Sequence, residues 1–149
     1  MRAGVLAVAA TLLALLHAGG APAQAPACAK GDFETVVNEA GAALRDLNRQ
    51  NIPLFQAKLR QLKDKRNWSN DQFLKEAEPF VRDAEIVGYD HKSEALLTRI
   101  TGGGMTASST TASDCSLLAE LRSAMSLLVG TQKAKWTYMF AKLDRELAK

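Results

Sequence analysis

Residues 115–149 read CSLLAELRSAMSLLVGTQKAKWTYMFAKLDRELAK, and their periodicity decides the fold. Leu118, Leu121, Met125, Leu128, Trp136, Met139, Leu143 and Leu147 recur at an average spacing of about 3.6. Apolar residues at that repeat line one face of a helix, so the whole stretch reads as one long helix, weakened only at Gly130. Ser113 or Asp114 supplies its start. At ~1.5 Å per residue such a rod is ~50 Å long.

Two upstream segments match that reach. The first begins at Asp32, a good N-cap, and runs to residue 66. Its stripe is Phe33, Val37, Ala40, Leu44 and Leu47, then Phe55, Leu59 and Leu62. The stripe keeps phase across Pro53, which favours one kinked helix over two independent ones, although proline removes a hydrogen bond there. In the second segment Ser69 and Gln72 form a capping box, and Trp68 with Phe73 forms a hydrophobic staple. Its apolar side is Phe73, Ala77, Phe80, Val81 and Ala84, with Pro79 inside. Gly88 reads as a helix end, and Asp90 as the cap of a short third helix carrying Leu96, Leu97 and Ile100 and stopped by Gly102. Residues 102–113, GGGMTASSTTAS, read as a flexible linker.

Strand signals are nearly absent, with neither alternating β-branched runs nor an Asn-Gly or Asp-Gly hairpin. The fold expected is therefore all-α: an elongated up–down–up bundle of three rods, about four helices, kinked at Pro53 and Pro79 and closed by one disulfide. On a common ruler Phe55, Phe80 and Trp136 fall at the level of the two prolines, which predicts an aromatic layer or a candidate apolar pocket.

Residues 1–23 carry an export signal in their composition. Arg2 gives a positive start, Val5 to Leu16 is an apolar run too short for a span of ~20 residues, and Ala21-Pro22-Ala23 is a cleavage site. Cleavage after Ala23 leaves a single helical domain, 24–149, in the periplasm or secreted, and the Ala/Pro-rich cleavage region points to a bacterium. In that setting Cys28 and Cys115, the two cysteines of the chain, are expected to pair. Free thiols or an intermolecular link are the alternatives, and intact mass with and without reductant separates them. The bridge closes nearly 90 residues, for which chain entropy sets a ceiling of roughly 4–5 kcal/mol.

The chain has 149 residues, 47% hydrophobic and 23% charged, a globular composition with room for one domain. Its formal charge of +3 falls to +2 without Arg2, too little for a nucleic-acid binder. Two cysteines and His91 cannot supply four zinc ligands. The His91–Asp90 pair has no nucleophile elbow, Glu76 and Glu78 face apart, and the glycines at 102–104 lack the Lys-Ser/Thr of a phosphate loop. No cofactor is implied, and a non-enzymatic role is expected.

Charge placement is the one feature above background. Residues 58–66 carry a local +4 and residues 133–149 a local +3. An up–down–up bundle brings Lys58, Lys63, Lys65, Arg66, Lys142 and Arg145 to one pole, beside the N-terminus of the second helix. The function expected is a non-catalytic binding module of the cell envelope. It would dock an envelope protein or an anionic surface such as lipid headgroups or lipopolysaccharide, in a chaperone-like manner. The second reading is a bundle holding a small apolar ligand near Phe55, Phe80 and Trp136. The sequence leaves the oligomeric state open.

Overall fold

The structure is a computed structural model that describes residues 28–109 and 114–149, with the side chains of 103–109 left aside. The expected signal segment, 1–23, and part of the expected linker, 110–113, lie outside the described residues. Four helices follow in order: α1 (Lys30–Arg66), α2 (Asn70–Val81), α3 (Ala84–Ser109) and α4 (Cys115–Ala148). Among the described residues there is no strand.

The α4 stripe forms as its spacing predicts. Leu118, Leu121, Met125, Leu128, Met139 and Leu143 are buried, and Trp136 and Leu147 pack against the core as partners. The Asp114 side chain accepts from the backbone N–H groups of Ser116 and Leu117, fixing where α4 starts. Both α1 and α3 pack along α4. Near the disulfide, Val36 and Ala40 of α1 share a cluster with Leu118, Leu121 and Met125. At the far end, Phe55, Leu59 and Leu62 share another with Met139 and Leu143. Hence α1 and α4 run parallel. Ile86 of α3 joins the far cluster, while Leu96 meets Ala124 and Leu128, so α3 runs antiparallel. This is the up–down–up bundle, with α4 at its centre.

The disulfide joins Cys28 to Cys115 across 87 residues, with Cα atoms 5.0 Å apart. It ties the start of α1 to the first residue of α4, where the two parallel rods begin. Cys28 is buried within the cluster of Val36 and Leu118.

Polar residues divide the core at mid-height. Gln132 donates from Nε2 to Ser93 Oγ at 2.8 Å, Ser93 donates to Tyr89 O at 2.9 Å, and Thr131 donates to Leu127 O at 2.8 Å. Asn51 donates to Leu47 O at 2.7 Å, and Trp136 Nε1 donates to Asn48 Oδ1 at 3.2 Å. Among the described residues no buried side-chain polar atom lacks a partner. Each buried hydroxyl or amide thus avoids the ~1–3 kcal/mol cost of an unmade bond.

The structure corrects several boundaries. α1 starts at Lys30, and Asp32 is the third residue of its first turn rather than its cap; Asp32 Oδ2 accepts from Ala29 N at 2.9 Å. Val36 is buried where Val37 was expected, and Val37 is exposed. The middle rod breaks at Arg82–Asp83, not at Gly88. Asp90 is an interior residue of α3, paired with Lys135 at 2.5 Å. α3 does not stop at Gly102 but continues to Ser109, which removes most of the expected linker. The physical reason is the same at both glycines: no described glycine takes a positive φ, so Gly88 and Gly102 remain right-handed and helical. α1 passes through Pro53 as one helix, and Pro79 lies in the last turn of α2.

Candidate functional site

The capping box opens α2 as the sequence predicts. Gln72 N donates to Ser69 Oγ at 3.2 Å, and Ser69 N donates to Gln72 Oε1 at 2.9 Å. It follows Asn67, which closes α1 in the left-handed region at φ 52°. This tight reversal places the last turn of α1, the first turn of α2 and the last turns of α4 at one pole.

The predicted basic residues meet there. Lys58 bonds to Asp144, Lys65 donates to Leu147 O at 2.6 Å, and Arg66 pairs with Glu146 at 3.2 Å. Lys63 donates to Asn70 Oδ1 at 2.6 Å and lies 5.7 Å from the centre of the Phe73 ring. Arg145 is exposed, as is Arg60, and neither makes an ion pair among the described residues. Asp144, Glu146 and the Leu147 main-chain carbonyl occupy much of this cationic end, through contacts that no local sequence pattern reveals. Glu146 is held below its ordinary value by the bond from Lys149, reinforced by the charges of Arg66 and Arg145. These pairs are largely solvent-exposed, so each contributes ~1 kcal/mol or less and can exchange partners.

Lys142 differs from the other five. It donates to Asp83 Oδ2 and to Pro79 O, both at 2.6 Å, and sits 5.8 Å from the centre of the Phe80 ring. Pro79 O is a C-terminal carbonyl of α2, which has no partner within the helix. Asp83 is the residue before α3, and its Oδ1 accepts from Ile86 N at 2.8 Å. Tyr138 Oη also donates to Asp83 Oδ2, at 2.8 Å. Burial pushes the Asp83 carboxyl up, but the bonds from Lys142, Ile86 N and Tyr138 outweigh it and bring it from 3.8 to about 2. The bond to Asp83 raises Tyr138 in turn. The sequence reading missed Asp83; the available signal was a capping residue a few positions after Pro79.

At the proline level Phe55 meets Trp136 edge to face at 5.9 Å, and Phe140 at 5.5 Å. Phe80 belongs to the same buried cluster. Phe140, one helical turn beyond Trp136, is the member the sequence reading left out. A shallow cavity of about 30 Å³, enough for one water, lies elsewhere, lined by Arg99, Ile100, Leu117, Glu120, Leu121 and Ala124.

His91 is exposed in α3. Among the described residues no three His, Cys, Asp or Glu side chains converge as a metal site, and no helix is long and apolar enough to cross a membrane. No protein-family model, curated protein or solved structure matches this chain.

Proposed function

We propose that this protein is an exported, non-catalytic helical module of the bacterial cell envelope that docks an anionic surface through the pole where α1 and α4 end. One observation carries the reading: Lys58, Lys63, Lys65 and Arg66 of α1 come together with the last turns of α4, with Arg60 and Arg145 free of ion pairs among the described residues. A dense anionic surface competes with exposed pairs, because each existing pair is weak while the surface offers many acceptors at once. The disulfide and the leader-like composition of residues 1–23 support an oxidising compartment, the periplasm or the medium. The partner fitting this chemistry is a phospholipid headgroup layer or lipopolysaccharide.

The test is co-sedimentation with phosphatidylglycerol vesicles at low and high salt, against phosphatidylcholine vesicles. The wild type should bind the anionic vesicles and release them as salt rises. Near such a surface each Lys or Arg contributes ~1 kcal/mol, so Lys63/Lys65/Arg66→Ala should weaken binding at least ~10-fold. Equal binding by wild type and variant, or no preference for the anionic vesicles, rejects the reading.

A further inference from the structure

The segment between the Asn67 reversal and the Arg82–Asp83 break is attached differently from the three long rods. α2 has 12 residues, and its backbone comes close chiefly to α4. Phe80 is its one buried side chain; Phe73 and Ala77 are half-buried on the same face. Leu74 is 74% exposed and Val81 47%. Beneath that face lie Phe55, Leu59 and Leu62 of α1 with Met139 and Leu143 of α4. These residues belong to rods that hold one another along their length and are stapled at the opposite end, so their packing does not depend on α2.

We infer that α2 is a hinged lid over this apolar trough, latched shut by Lys142. The hinges are the left-handed turn at Asn67 and the extended residue Arg82, at φ −151° and ψ 105°. Pro79 lacks an N–H, so the last turn of α2 is short of one helical bond and is not continuous with α3. Lys142 spans the break: it caps the Pro79 carbonyl, a favourable place for a cation at a helix C-terminus, and pairs with the Asp83 carboxylate that starts α3. The Phe80 ring beneath it is the second point of attachment. Opening costs the burial of Phe80, the partial burial of Phe73 and Ala77, and the Lys142–Pro79 and Lys63–Asn70 bonds, while leaving α1, α3 and α4 assembled. A short helix with few apolar contacts belongs to the low-stability end of a fold, where segments open as units. The lid shares Lys63 and Lys142 with the docking pole, but its test reads amide exchange and dye fluorescence rather than vesicle binding, so failure of one reading is distinguishable from failure of the other.

Hydrogen exchange read by mass spectrometry on the disulfide-bonded protein tests the lid, with Lys142→Met and Lys142→Arg beside the wild type. In the wild type, amides of 70–81 should exchange ~10-fold or more faster than those of 55–62 and 136–143, because opening free energies differ between such units. Lys142→Met should speed exchange several-fold further within 70–83 alone and raise the fluorescence of the uncharged dye Nile red. Lys142→Arg, which keeps the cation, should behave as wild type. Exchange of 70–81 in step with the long rods overturns the inference. So does a Lys142→Met effect spread evenly over all four helices, an unchanged Lys142→Met pattern, or unchanged dye fluorescence in that variant.

Discussion

Asp83 shows how much one carboxylate can organise. It starts α3 through Ile86 N, orients Tyr138 and accepts from the lysine that caps α2. Its carboxyl lies at about 2 when folded and near 3.8 otherwise, so the folded state favours the ionised form. A lowered carboxyl contributes stability that is complete above the unfolded value and fades as pH falls through the folded one. Because the group is partly solvated, the contribution at neutral pH is about 1–2 kcal/mol rather than the full shift. Asp83→Asn should lower chemical-denaturation stability by that amount at pH 7, and should flatten the loss of stability between pH 4 and 2 relative to wild type. Parallel acid limbs for the two proteins would show that Asp83 carries none of it. The sequence hid this residue for a plain reason: an aspartate is a cap only if a helix starts there, and Gly88 and Asp90 offered a competing start.

Whole elements were legible wherever the apolar stripe was unbroken. α4 shows eight stripe residues at a regular spacing, and all eight lie in or against the core. Ser69 and Gln72 fixed the start of α2 from chemistry that is local in sequence. α3 was read poorly because its buried face runs Ile86, Tyr89, Ser93, Leu96 and Ile100, and a serine at the central position interrupts the apolar signal. That serine donates to Tyr89 O within its own helix and accepts from Gln132 of α4, a partner no local pattern reveals. Gly88 then looked like a stop. In the structure it is an exposed interior helical residue, and a Cβ there would meet nothing within 4 Å. Gly88→Ala should therefore stabilise the protein by about 0.5–1 kcal/mol, through the lost backbone freedom of the unfolded chain. Thermal melting monitored by circular dichroism checks it; a lowered melting temperature would mean that position 88 needs a glycine.

At the scale of the molecule, two independent readings of the sequence converge on one geometry. Matched rod lengths imply up–down–up, and paired cysteines imply that the first and last rods begin together; the structure contains both. The cationic pole follows from that geometry, since the basic last turns of α1 and α4 share an end only if the two rods are parallel. What the sequence could not give was the pairing within the pole, because Lys65 with Leu147 O and Arg66 with Glu146 are contacts across 82 and 80 residues. The most direct test is a distance between spin labels at Arg60 and Arg145, attached by non-cysteine chemistry so that the native bridge stays intact. Parallel rods packed 8–10 Å apart, with label tethers added, put the labels about 15–25 Å apart. A distance of about 40 Å or more would mean antiparallel rods and would contradict the bundle, the pole and the docking proposed for it.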